Sequence, residues 1–236
     1  MKRFKILGAM LAAMWAMGLM AASAFALPDI TITLGSYPLH LNYLSNTVAT
    51  KIETPNGALF TGTGLHVLYL TGELTALGTF RMIFLKWGKG TESCFNQGEE
   101  ANGEVLLEGS FHVVYTSLKG STQGLQIGVL YLVKSLEGAT VIKCKKTGIE
   151  IKVRGSMIGS IVTLPEGEGE RIGQKSVLTG TNGKQSIRAY WNDAGTGLLA
   201  KFESSIGAGF LESNLVIEGE PEATALNGAM YKITSI

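Results

Sequence analysis

Beyond residue 26, the pattern of this chain is short apolar runs, alternating with polar residues and broken by glycine. The runs fall at Leu65–Leu70, Thr79–Trp87, Val105–Tyr115, Gln126–Val133, Thr140–Lys145 and Ile149–Met157. Later ones are Ser186–Trp191, Gly197–Ser204, Phe210–Ile217 and Ala229–Ile236. Their β-branched and aromatic content, at a period of two, predicts strands. No later stretch shows the apolar spacing of an amphipathic helix. The expected architecture is all-β: an antiparallel β-sandwich or β-barrel of about ten or more strands.

An internal echo supports this expectation. Gly72-Glu73-Leu74 and Gly78-Thr79-Phe80-Arg81-Met82-Ile83-Phe84 return as Gly103-Glu104-Val105 and Gly109-Ser110-Phe111-His112-Val113-Val114-Tyr115. Two copies are too few for a solenoid, but they fit two equivalent strand units of one sheet or barrel. Alternation places Phe80, Met82 and Phe84 on one face, and Phe111, Val113 and Tyr115 on the matching face of the second copy. That shared face is the expected core.

The first 26 residues break the pattern. Lys2, Arg3 and Lys5 precede an uncharged run from Ile6 to Met20, and Ala24-Phe25-Ala26 follows as a small-x-small site. The run is shorter than the ~20 residues of a spanning helix, so it reads as a cleaved signal peptide, residues 1–26. Leu27 rather than cysteine would then lead the product, which excludes a lipoprotein. Residues 27–236 are expected to form a single β domain. The acidic, glycine-rich stretch 164–176, beginning Leu164-Pro165-Glu166-Gly167, marks a candidate sub-domain boundary or a long loop.

Export changes how charge and cysteines are read. Three of the 20 basic residues and none of the 19 acidic ones lie in the leader, leaving a net −2. That balance offers no footprint for nucleic acid and no polybasic stripe for a membrane surface. No second apolar run approaches spanning length. The only cysteines, Cys94 and Cys144, are expected to pair as a disulfide in an oxidising compartment. The alternative, a reactive thiol, lacks a Cys-x-x-Cys motif or an adjacent histidine.

Candidate chemistry is sparse. The histidines are His40, His66 and His112. None has zinc-site spacing, although His66 and His112 sit in similar phrases and would share a metal if their strands were neighbours. The simpler reading is two sheet-face histidines, and no metal or cofactor is expected. Asp29 and Asp193 are the only aspartates, too few for calcium loops, and Asn192-Asp193-Ala194-Gly195 reads as a hairpin turn. Glu73 with Glu104 would form a glycosidase pair only if the fold joined them. Gly155-Ser156-Met157-Ile158-Gly159 is not a nucleophile elbow. No catalytic residue is assigned. Trp87 and Trp191, each closing a strand, are the candidate ligand platform.

The positions Cys94, Gly103-Glu104-Val105, Gly128-Val129, Cys144 and Val153-Arg154-Gly155-Ser156-Met157-Ile158-Gly159, with Gly183-Lys184-Gln185, resemble those of a group of secreted, β-rich actinobacterial proteins of unknown function. The resemblance spans residues 90–190 and implies export, a disulfide and a β fold. It carries no site residues. The expected role is a non-catalytic binding or structural module, secreted or held at the cell envelope. Its expected partner is a surface polymer, an apolar small ligand inside a barrel, or another protein. The alternative is a secreted hydrolase acting on polysaccharide or cell wall. An outer-membrane barrel is a third option, disfavoured by the final Ile236 and the lack of aromatic girdles.

Overall fold

The structure, a computed structural model, describes residues 28–34, 38–57, 59–71, 77–96, 103–117, 126–134, 138–161, 173–192, 195–207, 209–219, 221–226 and 228–234. The leader, Glu73, Asp193 and most of the acidic stretch lie outside them. The described residues form strands without an α-helix, as expected. In chain order these are β1 (Asp29–Leu34), β2 (His40–Glu53), β3 (Leu59–Thr71), β4 (Leu77–Phe84), β5 (Gly88–Lys89), β6 (Glu92–Phe95), β7 (Val105–Ser117), β8 (Gln126–Val133), β9 (Thr140–Cys144) and β10 (Glu150–Ile161). They continue as β11 (Gly173–Val177), β12 (Gly180–Thr181), β13 (Lys184–Gln185), β14 (Ala189–Trp191), β15 (Gly197–Leu199), β16 (Phe202–Ile206), β17 (Leu211–Glu212), β18 (Asn214–Ile217), β19 (Glu222–Ala225) and β20 (Met230–Thr234).

The pairings close on themselves, so the barrel alternative holds. β2, β3, β4, β7, β8, β10, β11 and β19 each hydrogen-bond to the next, antiparallel throughout, and β19 returns to β2. Because these strands follow one another in sequence, the path is an up-and-down ring, which leaves no exposed edge along the path. A second path closes below it through β2, β3, β5, β6, β9, β10 and β16. It continues through β17, which runs on into β18 and so back to β2. β2, β3 and β10, of 14, 13 and 12 residues, run through both rings and exchange partners midway. β10, for example, pairs with β16 over Ile151–Gly155 and with β8 over Ser156–Ser160.

The echo units are neighbours: β4 and β7 pair antiparallel from Phe84↔Val105 to Leu77↔His112. Phe80, Met82, Phe84, Phe111, Val113 and Tyr115 are all buried, as alternation predicts. The inward faces of both rings form one contiguous apolar cluster, from Tyr69 and Phe80 in the first to Phe60, Trp87 and Phe202 in the second. Outside the first ring, Val114, Leu130 and Ile158 are covered by Ile187, Tyr190 and Ala200 of the β14–β15 arm. The rest of the wall is mixed, with Glu108 between Arg81 and Lys134 at 3.8 and 3.9 Å and Lys143 paired with Glu150 at 3.2 Å. A lipid-spanning barrel reverses this apolar-in, charged-out arrangement. No helix among the described residues is long and apolar enough to cross a membrane.

Cys94 and Cys144 are bonded, and they stand directly opposite each other in the β6–β9 pair. Beside them the Glu92 carboxylate accepts the backbone N–H groups of Lys146 and Thr147 and the Thr147 hydroxyl, which fixes the turn from β9 to β10. Those bonds, the Thr147 N–H foremost, hold the Glu92 carboxyl below its ordinary range against the opposing effect of burial. The ammonium of Lys201 and the guanidinium of Arg154 do the same for Glu203. At Glu53, burial acts to raise the value, but bonds from Lys51 and Asn214 outweigh it. All three folded values lie below the unfolded value of about 4.3. Their stabilisation is therefore complete above that pH and is lost as pH falls through the folded values. The urea midpoint is expected to be flat from about pH 7 to 5.5 and to drop below about pH 4.5, with a smaller acid loss in Glu92→Gln. A flat midpoint down to pH 3 contradicts this assignment.

Candidate functional site

The barrel interior is the first place to look for a ligand, and among the described residues it is filled by side chains. Tyr69, Phe80, Phe111 and Tyr131 interlock with ring centroids 5.2–6.2 Å apart. The Tyr131 hydroxyl bonds to Tyr69 Oη and to Ser176 Oγ, each at 2.9 Å. Burial pushes the Tyr69 phenol well above its ordinary value and also raises Tyr131, so both stay protonated as hydrogen-bonding groups. The voids flanking this chain are about 30 and 10 Å³. Each has room for about one water, whereas small-molecule pockets run to roughly 300–1,000 Å³. The described interior therefore offers no ligand-sized space for the expected apolar ligand: large aromatic side chains from facing strands meet at the axis. Tyr131→Phe removes both bonds and is expected to cost about 1–3 kcal/mol, read as a lowered urea midpoint with an unchanged slope. An unaltered midpoint would show that the hydroxyl chain contributes nothing.

Among the described residues, two depressions on the outside are of ligand size. One, about 550 Å³, lies on the first ring between Arg81, Glu108, Ser110, Leu132 and Lys134, where Glu108 already sits between the two cations. The other, about 510 Å³, lies on the second ring where β2 and β3 meet the β5–β6 hairpin. Thr61, Thr63, Thr91 and Ser93 line it with exposed hydroxyls, and Trp87 lies at its floor.

Local sequence explains that floor. Lys86 adopts a left-handed backbone, which turns the chain sharply between β4 and β5 and drives Trp87 inward. Trp87 is 1% exposed and stacks on Phe60 at 5.6 Å. Gly62 permits this packing, because a Cβ there would lie 2.6 Å from Trp87 Cδ1 and 2.9 Å from the Leu85 carbonyl oxygen. The indole Nε1–H, one bond beyond that Cδ1 edge, is buried with no hydrogen-bond partner among the described residues. A buried donor left unmatched costs about 1–3 kcal/mol.

The other sequence candidates disperse. Trp87 does not present an open stacking face, because its indole is buried against the inward side of Gly62. Trp191 is half-buried and pairs with Tyr115 on the far side of the first ring, so the two tryptophans do not form one platform. Asn192 closes the β14–β15 hairpin, accepting the Thr196 N–H at 2.8 Å through its side chain. His66 and His112 do not face one another. β4 lies between them, and they align with Ile83 and Leu77 at opposite ends of that strand, a six-residue offset of roughly 20 Å. His66 Nε2 bonds instead to Asn42 Oδ1 at 2.8 Å. Ser156 Oγ accepts the Lys201 backbone N–H at 3.2 Å. Among the described residues no three His, Cys, Asp or Glu side chains are grouped to hold a metal ion. Glu104 is half-buried at the start of β7, while Glu73 lies outside the described residues.

The groove itself was not legible in sequence. Gly62-Thr63-Gly64 reads in sequence as a turn signal, although Thr-Gly-Thr-Gly within an otherwise apolar strand is a local sign of a close backbone approach. No protein family, curated protein or solved structure matches this chain.

Proposed function

We propose that this chain is an exported, non-catalytic binding module of the cell exterior or envelope, and that its ligand seats in the groove over Trp87. The observation that carries this reading is a ligand-sized, hydroxyl-lined groove on the outer wall, beside an interior with no ligand-sized space among the described residues. The acidic groups support the absence of catalysis, since Glu53, Glu92 and Glu203 are already engaged in ion pairs and turn bonds. Export is supported by the leader pattern and by the Cys94–Cys144 bridge, which suits an oxidising compartment.

The test is a thermal-shift screen of the secreted product against soluble polysaccharides and lipid vesicles, with N-terminal sequencing expected to begin at Leu27. A ligand at a hundredfold excess over its Kd is expected to raise Tm by roughly 5–10 °C. Thr61→Trp, which fills the groove from an exposed position, is expected to abolish that shift and leave the unliganded Tm in place. A ligand that shifts both proteins equally would place its site elsewhere.

A further inference from the structure

We infer that the free edge of β15 pairs with the β15 edge of a second copy of this chain, antiparallel about a two-fold axis at Leu198. The inference stands on the β14–β15 arm and does not depend on what the groove binds. β15 hydrogen-bonds to β14 alone, so it is an edge that neither ring closes. The Ala200 N–H bonds to the Arg188 carbonyl and the Asn192 N–H to the Thr196 carbonyl, at either end of that pair. Alternation then makes Tyr190 and Leu198 the hydrogen-bonded couple between them. The N–H and C=O groups of Gly197 and Leu199 therefore point away from β14, and among the described residues nothing bonds to them. Natural edges are usually blunted by charge, proline or a bulge. From Gly195 to Ala200 there is no charge and no proline, and the pairing with β14 runs without a register shift.

What selects a second copy is that the edge is complementary to itself. Centred on Leu198, an antiparallel pairing sets Leu199 opposite the partner's Gly197 and Gly197 opposite the partner's Leu199, each couple exchanging both of its N–H···O bonds. Leu199 is 74% exposed, the most of any large apolar side chain among the described residues. In this register it meets a position without a side chain, beside an indole. Trp191 is the β14 partner of Gly197 and leans across it, with Nε1 and Cε2 at 3.6 and 3.9 Å from where a Cβ would stand. An unrelated strand would offer that gap and that ring only by chance. Leu198 shares a face with Tyr190, which packs on the outer wall, yet Leu198 is 39% exposed. The arm therefore overhangs the wall at this edge and leaves space for a second strand. Three residues make a small contact, below the roughly 1,200 Å² of standard interfaces, so the dimer is a weak one.

The test reads the oligomeric state of the full secreted chain by sedimentation velocity. The wild type is expected to pass from monomer to dimer between about 10 μM and 1 mM, as a contact below standard size allows. Leu199→Lys, at an exposed position, is expected to weaken that association about tenfold or more and to leave Tm in place. Leu198→Cys reports the register, because the two Leu198 residues form a non-hydrogen-bonded couple with Cα atoms about 4.5 Å apart, within disulfide reach. Under oxidation it is expected to give a cross-linked dimer on a non-reducing gel, whereas Leu199→Cys, facing the partner's Gly197, is not. A chain that stays monomeric up to about 1 mM overturns the inference. So does a dimer that Leu199→Lys leaves intact, or cross-linking of Leu199→Cys as ready as that of Leu198→Cys. Slow exchange of the Gly197 and Leu199 amides in a dilute monomer would assign the edge to another segment of the same chain. Copurification of a different protein that Leu199→Lys releases would assign it to that protein. Either result overturns pairing with a second copy.

Discussion

Replacing Cys94 and Cys144 together with alanine is expected to destabilise the fold by about 4 kcal/mol, the chain-entropy value for a closed loop of this length. The bridge spans 50 residues, and that span contains β7 and β8, two of the eight strands of the upper ring. Opening it gives the unfolded chain the freedom to separate those strands from both rings. In the folded state the loss is local, because Cys94 and Cys144 already stand directly opposite each other in the β6–β9 pair and both are buried. The Glu92 carboxylate ties the same two elements together from the adjacent position, so the pairing is expected to persist without the sulfur link. Urea unfolding of the double variant and of the reduced wild type should therefore give the same lowered midpoint and the same spectrum before unfolding. A loss under about 1 kcal/mol would mean that the unfolded chain keeps β6 and β9 together without the bridge.

Sequence reading succeeded where burial was one-sided and local. Gln126–Val133 coincides with β8, and Val105–Tyr115 lies within β7, because their apolar residues recur without interruption. The Cys94–Cys144 pairing followed from compartment and count. β2 escaped, although it is the longest strand, since His40–Glu53 is polar along much of its length and its alternation breaks where Asn46-Thr47-Val48 bulges opposite Gly64. The run Gly197–Ser204 proved to be two strands, β15 on the outer arm and β16 in the lower ring, parted at Ala200 and Lys201. Ring closure itself was invisible, for it depends on β2, β3 and β10 exchanging partners midway, and alternation reports which face is buried but not which strand lies beside it. The groove was hidden for the same reason. Its hydroxyls are ordinary outward residues of a strand, and only the turn at Lys86 brings Trp87 beneath them.

Gly155→Ala tests that partner exchange directly and is expected to cost about 2–4 kcal/mol. Gly155 stands at the boundary in β10 between the segment paired with β16 and the segment paired with β8. Its φ is +95°, a conformation that L side chains rarely adopt, and an added Cβ would run into the Lys201 carbonyl. That carbonyl accepts the Ser156 N–H at 2.9 Å, and the Lys201 N–H returns a bond to Ser156 Oγ at 3.2 Å. Alanine must therefore strain its own backbone and push away the group that anchors the crossover. Gly57→Ala separates these two effects, because Gly57 has a φ of +74° but open space where the methyl would go. It is expected to lose only the backbone contribution, about 1–2 kcal/mol, partly offset by a stiffer unfolded chain. If Gly155→Ala costs no more than Gly57→Ala in urea unfolding, the close approach to Lys201 is not what holds the two rings in register. The shared strands alone would then have to fix it.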